Sequence, residues 1–226
     1  HKTQYRDFIG KDPKTLCFVC HANDRSESGL VFADTQKEYK ETTKQCADCH
    51  MSPKKMGVAS TLPIDNGRAK ARMVREHGFI GAHTTSMWEG ALSLIGKKEG
   101  KKLMLTLVND NPHNIPTGFG ARELLIDIVY QSGSTIVEQK QISLTQNFTD
   151  KRGKDTIPHL AVKTSADLSI AANSERTFAV DIPKGAGNAV VTVSYRLVND
   201  KIRTLLELKE KQWEEKKFIT KANIRF

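Results

Sequence analysis

Two five-residue segments carry the residue types with the most distinctive chemistry in this chain. They are Cys17-Phe18-Val19-Cys20-His21 and Cys46-Ala47-Asp48-Cys49-His50, and both follow the pattern C-x-x-C-H. This spacing is the attachment signal of a c-type haem: two thiols add to the vinyl groups on one porphyrin edge, and the next residue brings an imidazole to the iron. The sequence therefore predicts two covalently bound c-type haems, with iron as the metal.

Each motif assigns its own residues to a haem. We expect the thiols of Cys17 and Cys20 to bind the first haem, with His21 as its proximal iron ligand. The second haem is bound by Cys46 and Cys49, with His50 as the proximal ligand. All four cysteines of the chain lie in the two motifs, so no cysteine remains for another site.

Three other uses of paired cysteines fit the sequence less well. A four-cysteine zinc site usually separates its pairs by about 15–20 residues, whereas 25 residues separate Cys20 from Cys46. A thioredoxin-like dithiol occurs once, near a βαβ pattern, and no such pattern is visible. Neither these sites nor a disulfide pair requires a histidine after each pair, and the chain has only 7 histidines among 226 residues.

Composition and charge narrow the class of protein further. The chain is 38% hydrophobic and 27% charged, which is ordinary for a globular protein, and its formal net charge is +9. A basic balance favours partners with acidic faces. No nucleic-acid-binding motif is present and the lysines are scattered, so we expect no nucleic acid partner.

The cysteine chemistry also indicates a compartment. Haem attachment to thiols takes place outside the cytoplasm, so we expect a periplasmic or extracellular protein. The sequence starts at His1-Lys2-Thr3 and is interpreted as a processed form, with a lipid anchor on a removed segment left open. No apolar run approaches the 18 or so residues that span a bilayer, so the protein is not expected to cross a membrane.

The two parts of the chain follow different hydrophobic patterns. Residues 1–98 have few long apolar segments, and we predict a small, mostly helical or loop domain built around the haems. Its strongest helix is predicted from Ser86 and Glu89 as a capping box, with apolar positions at helical spacing and Gly96 as its end. A weaker helix is predicted over 67–75, and 51–66 is expected to be a loop.

Residues 99–226 alternate apolar and polar positions with a period of two, which predicts strands. The clearest runs are 103–108, 124–130, 178–182, 191–197 and 218–226, with weaker ones at 135–144 and 159–170. An amphipathic helix is expected within 200–217. The predicted fold class is therefore α+β: a dihaem cytochrome c domain followed by an antiparallel β-sandwich.

The second axial ligand of each iron must come from elsewhere in the chain. Two histidines lie in suggestive surroundings: His77 in a stretch where glycines would let the backbone approach a flat ring, and His113 in a loop stiffened by two prolines. His83 is the alternative distal ligand. The residues alone do not say which of them serves which iron.

Taken together, these motifs resemble a known group. The two C-x-x-C-H motifs, the Cys-His-Met run at 49–51, the H-x-F-x-G-A stretch at 77–82, the H-x-x-P-T-G loop at 113–118 and the strand that Arg122 leads are similar to multihaem c-type cytochromes with a C-terminal β-sandwich domain. The resemblance implies that His77 and His113 are distal haem ligands, and that the β-domain supplies His113. Members of that group often hold four or more haems, whereas this sequence has motifs for two.

The function expected from this reasoning is electron transfer. Two bis-His, low-spin irons would leave no open position for a substrate, so the chain is expected to be a carrier of electrons between redox proteins with acidic faces rather than an enzyme. Three alternatives stay open. One is a small haem redox enzyme with an open iron site, the second a subunit or filament in which a histidine of one chain binds a neighbour's haem, and the third a haem-based sensor.

Overall fold

The computed structural model describes residues 13–43, 45–58, 71–76, 78 and 80–226. Within them, four short α-helices are found: α1 (Pro13–His21), α2 (Thr35–Glu38), α3 (Cys46–His50) and α4 (Asp200–Leu205). Single 3-10 turns lie at Thr85–Met87, Pro158–Leu160 and Lys211–Trp213. Everything else that is regular in the described residues is β-structure.

The strands form two small hairpins and two larger sheets. The hairpins pair β1 (Asp24–Arg25) with β2 (Val31–Ala33), and β3 (Lys55–Gly57) with β4 (Arg72–Val74). One larger sheet has the order β10-β6-β5, from Ser174–Asp181, Lys102–Asn109 and Ser93–Glu99. The other has the order β12-β11-β7-β8-β9, from Lys217–Arg225, Asn188–Arg196, Glu123–Ser132, Thr135–Thr149 and Lys163–Asp167. All described pairings are antiparallel.

The two larger sheets enclose the main hydrophobic core. Strand β6 buries every second side chain, with Leu103, Leu105 and Leu107 fully inaccessible to solvent. They belong to the same cluster as alternate residues of β7 and β11, where register pairs such as Val191 with Ile128 bury both members. Period-two burial from both sheets is the packing of a β-sandwich, and the strands predicted from alternation are confirmed.

The predicted fold class is wrong for the first part of the chain. We expected a small, mostly helical domain before the sandwich, but the only α-helices in the described residues there are α1, α2 and α3, two of which contain the C-x-x-C-H motifs. The remaining regular positions belong to the two short hairpins, one 3-10 turn and the start of strand β5. The described part of the protein is therefore mostly β, because its four helices are short and most of its regular residues lie in strands.

The helix predicted at residues 86–95 is also wrong. The chain there forms a 3-10 turn and then enters β5, in which Gly96 lies mid-strand. Trp88 explains the apolar pattern without a helix, because its ring stacks on Tyr195 with centres 3.5 Å apart and its indole N–H donates to the carbonyl of Ala82 at 2.9 Å. The apolar residues at positions 88 and 92, whose spacing suggested a helix, make two separate contacts with the core.

The remaining local predictions have mixed outcomes. The described part of the weak helix at 67–75 contains strand β4 instead, and the expected loop at 51–66 contains strand β3. Where an amphipathic helix was expected within 200–217, the structure has only the short helix α4 and one 3-10 turn. Residues 59–70, which complete two of these segments, lie outside the described part of the chain.

Candidate functional site

The second C-x-x-C-H motif forms a single short helix. In α3 the two cysteines lie three residues apart, so they share one face of the helix. Cys46 is half-buried and Cys49 is exposed. The Asp48 carboxylate accepts a hydrogen bond from the backbone N–H of Gln45 at 2.9 Å, which satisfies a donor at the start of the helix.

Arg75 fastens this helix to the β3–β4 hairpin. Its guanidinium donates to the carbonyls of Ala47 at 3.1 Å and Ser52 at 3.0 Å, and it pairs with the Asp48 carboxylate at 2.5 Å. Three bonds from one planar group fix both the helix and the residues after it. Arg75 was not anticipated from the sequence, because nothing local distinguishes an arginine that acts 27 residues away.

The imidazole of His50 is oriented by the backbone at Ile80. Its Nδ1 lies 2.8 Å from the carbonyl oxygen of Ile80, and the N–H of Ile80 donates in turn to the carbonyl of His50 at 3.0 Å. A carbonyl can only accept, so Nδ1 carries the proton. In this tautomer Nε2 is the nitrogen that could bind a metal, the usual arrangement when the other ring nitrogen is hydrogen-bonded to a backbone carbonyl.

The imidazole of His113 is also oriented by a hydrogen bond to a backbone carbonyl. It lies in the loop between β6 and β7, and its Nδ1 is 2.9 Å from the carbonyl oxygen of Asn114. Nδ1 is therefore the protonated nitrogen here as well, and Nε2 remains for a metal. Burial lowers the pKa of His113, the hydrogen bond to Asn114 raises it in part, and the nearby His50 and Arg122 lower it further. The net shift is downward, so the neutral imidazole that a metal needs is favoured.

The side chain of Asn109 organises this loop from within. It is fully buried at the end of β6, and its amide nitrogen lies 3.0 Å from the carbonyl oxygen of His113 and equally close to those of Ile170 and Ala171. Its amide oxygen accepts from the backbone N–H of Asn111 at 3.0 Å. An asparagine at the end of a strand and ahead of an Asn-Pro turn is the sequence signal that could have identified it.

A second set of bonds holds the loop to the segment before β10. The backbones of Ile115 and Ile170 exchange hydrogen bonds of 2.9 and 2.8 Å, and the Asn114 side chain accepts from the N–H of Ala172 at 3.1 Å. The Ile115–Pro116 peptide bond is cis. His113 is thus carried by a loop that is bonded on both sides to the sandwich.

The structure brings His50 and His113 together. Their ring centres are 6.2 Å apart and their planes are inclined by 32°. A metal–imidazole bond is about 2 Å long and the ring centre lies about 1 Å beyond the nitrogen, so two imidazoles on opposite faces of one metal ion have centres about 6 Å apart. The separation therefore fits one iron between the two rings.

The first C-x-x-C-H motif forms the end of α1 and lies beside the same loop. Cys17 is half-buried, and Cys20 and His21 are exposed. Cys20, His21 and Gly118 line one surface concavity, together with residues 22–24, 33 and 35. The loop that carries His113 towards the second motif thus also borders the first.

The segment that follows α1 packs directly on the sandwich. Phe32 is buried against Phe148, with ring centres 6.4 Å apart, in a small second core that also includes Ala33 and Ala161. The hydroxyl of Ser28 donates to the carbonyl of Ala161 at 2.7 Å. These contacts fix the segment between the two motifs relative to the loop.

The other predicted ligands are not brought to this pair. His77 lies outside the described residues, so its role as a distal ligand stays a prediction. His83 is exposed in the turn that precedes Trp88. Among the residues that the structure describes, no group of three or more His, Cys, Asp or Glu side chains is arranged to hold a metal ion, so the cysteine pairs do not form one four-cysteine cluster.

The fold and the two motifs define a mostly β-protein with C-x-x-C-H helices placed against a sandwich. Its structure is similar to the crystal structure of a penta-heme cytochrome c552 from Thermochromatium tepidum, with a TM-score of 0.72 and 20% sequence identity over 94% of this chain and 56% of that chain. The chain thus spans little more than half the length of that protein. At this identity, the similarity shows the fold alone.

Sequence comparisons give no further relatives. No protein-family model matches the chain, and no curated protein matches it. Within the described residues, no helix is long and apolar enough to cross a membrane.

Proposed function

We propose that this chain is an extracytoplasmic electron-transfer protein that binds two c-type haems through Cys17, Cys20, Cys46 and Cys49. The observation that carries the proposal is the 6.2 Å separation of the His50 and His113 ring centres, with both Nδ1 atoms bonded to backbone carbonyls. A haem supplies a one-electron change of its iron. The protein residues supply attachment, two axial nitrogens and a fixed geometry.

The paired imidazoles favour a carrier over an enzyme. Since His50 and His113 would occupy both axial positions of one iron, that iron would have no site for a substrate. Two imidazoles also lead to a lower reduction potential than a histidine with a methionine, whose thioether raises the potential. The structural similarity to a penta-heme cytochrome supports the same class of function.

The remaining assignments extend the proposal to the rest of the chain. His21 is proposed as the proximal ligand of the first haem, and His77, or alternatively His83, as its distal ligand. The net charge of +9 supports redox partners with acidic docking faces. A periplasmic or extracellular location follows from the chemistry of haem attachment.

The test is a count of covalent haems followed by a ligand substitution. The purified holoprotein is denatured, and the proposal expects two porphyrins retained on each polypeptide. The spectra of His113→Ala are then compared with those of the wild type and of His159→Ala, a control at an exposed histidine of the same sandwich.

We expect His113→Ala to convert one of the two haems from low-spin to high-spin, and to create a site that binds carbon monoxide after reduction. We expect His159→Ala to keep the wild-type spectrum. A polypeptide without covalently bound porphyrin would contradict the proposal as a whole. A low-spin spectrum unchanged in His113→Ala would contradict the assignment of His113 to an iron.

A further inference from the structure

A half-buried carboxyl group lies against the loop that carries His113. Glu38 is the last residue of α2, and its carboxylate accepts a hydrogen bond from the hydroxyl of Thr117 and is faced by the backbone N–H of Asn114. Two residues later, the N–H of Lys40 donates to the carbonyl of Pro112 at 2.7 Å. Residues 38–40 therefore bind the loop immediately before, immediately after and four residues beyond His113.

These contacts lead to the imidazole in two steps. The backbone N–H of Asn114 faces the Glu38 carboxylate, while the carbonyl of the same residue accepts the Nδ1–H of His113 at 2.9 Å. The position of Asn114 is thus determined on one side by Glu38 and determines the orientation of His113 on the other. Hydrogen bonds of this outer kind set both the orientation and the basicity of a metal-bound histidine.

The charges around Glu38 are mostly of its own sign. Burial raises the pKa of Glu38 most, and Asp167 of β9 and Asp34 of the preceding turn raise it further. The bonds from Thr117 and Asn114 lower the pKa in part. Arg122 borders the same cleft from the loop, but its guanidinium is bonded to the carbonyl of Thr117 at 2.5 Å.

We propose that Glu38 is a positioning residue for His113, and that the ionisation of its carboxyl group sets the reduction potential of the iron bound by His113. The inference depends on the proposed function, because it requires His113 to be an iron ligand. An ionised carboxylate packed against the loop of an iron ligand favours the ferric state through its negative charge and lowers the potential. The protonated carboxyl removes that charge, so uptake of a proton accompanies uptake of an electron.

The first experiment measures the potential of each haem in the holoprotein as a function of pH. In the wild type we expect one potential to fall as pH rises through the ionisation of Glu38. In Glu38→Gln, which keeps an oxygen for Thr117 and Asn114, we expect that potential to be more positive at neutral pH and to lose this step. Haem propionates also titrate, but they are the same in both proteins.

The matched control is Glu27→Gln, the same change at an exposed glutamate of the same segment. We expect it to keep the wild-type potential and its pH dependence. If Glu38→Gln also follows the wild-type curve, the inference is wrong.

A second variant tests the inference even if Glu38→Gln does not fold. Thr117→Val has nearly the same shape but cannot donate to Glu38. Because that hydrogen bond stabilises the ionised carboxylate, its loss should move the step in potential to higher pH. A step at the wild-type pH in Thr117→Val would overturn the inference. If His113→Ala changes the spin state while both curves stay unchanged, the proposed function holds and this inference alone fails.

Discussion

Asn109 offers the most direct test of how the sandwich holds its loop. Its amide nitrogen binds the carbonyl of His113 and its amide oxygen binds the N–H of Asn111. The carbonyls of Ile170 and Ala171, which the same amide also approaches, keep other partners at the Ile115 N–H and the Ser174 hydroxyl. Asn109→Ala therefore leaves two backbone groups without their partners.

The expected loss of stability is estimated from those two backbone groups. A buried polar group that loses its hydrogen-bond partner costs about 1–3 kcal/mol, and the half-buried His113 carbonyl falls towards the lower end. We expect Asn109→Ala to reduce the free energy of unfolding by about 3 kcal/mol. A chain of 150–250 residues loses about 2–4 °C in Tm per kcal/mol, so the expected decrease is about 6–12 °C.

The assay is calorimetric unfolding of the holoprotein at neutral pH, combined with its visible spectrum. Because Asn109 fixes the His113 backbone, the variant should also show a fraction of high-spin haem that increases below the unfolding transition. The control is Asn223→Ala, an exposed asparagine whose side chain accepts one hydrogen bond from Asn188 at 3.1 Å. If Asn109→Ala lowers Tm no more than this control does, the account of the loop is refuted.

Two further predictions concern the stability of the sandwich. A Cβ atom at Gly96 would lie 2.5 Å from the Cγ1 of Ile224, so Gly96→Val should reduce the free energy of unfolding, measured with denaturant, by about 1–3 kcal/mol. Much of this loss should disappear when Ile224→Ala is added, because the smaller side chain removes the clash. If the effects of the two substitutions are fully additive, the clash is contradicted. Hydrogen bonds from Arg196 and then Arg203 lower the pKa of Asp200 below 3.8. The ionised Asp200 therefore contributes its full stabilisation above that pH and loses it as pH falls. The difference in Tm between wild type and Asp200→Asn should be largest at neutral pH and should disappear in acid. A difference that stays constant with pH would exclude this role.

A sequence prediction was correct where the hydrophobic pattern of a segment arose from a single structural element. In β6, β7 and β11, alternation arises because one face of each strand meets the opposite sheet, and the strands were predicted correctly. At Trp88 and Leu92, helical spacing arose from a turn followed by a strand, each contributing its own core contact. A window of sequence cannot separate these two causes, because the partner Tyr195 lies more than a hundred residues away.

Some residues of the candidate site could be predicted from the sequence and others could not. The two C-x-x-C-H motifs could be recognised because the chemistry of one cofactor edge requires their spacing, and haem attachment by their cysteines stays a prediction. The prolines beside His113 indicated a rigid loop. Asn109, Arg75 and Glu38 could not be found from spacing. They act on backbone groups that come near only after the sheets have assembled, and polar residues of these types are common on protein surfaces.

The packing of the first segment on the sandwich has a consequence for biosynthesis. Phe32 and Ala33 are buried, and both belong to the small cluster completed by Phe148 and Ala161. Translation runs from the amino terminus, so Cys17 and Cys46 leave the ribosome before the strands that will cover this segment exist. Phe32 and Ala33 therefore cannot be buried until Phe148 and Ala161, more than a hundred residues later in the chain, have been synthesised, so the packing of the segment between the two motifs is a late event in folding.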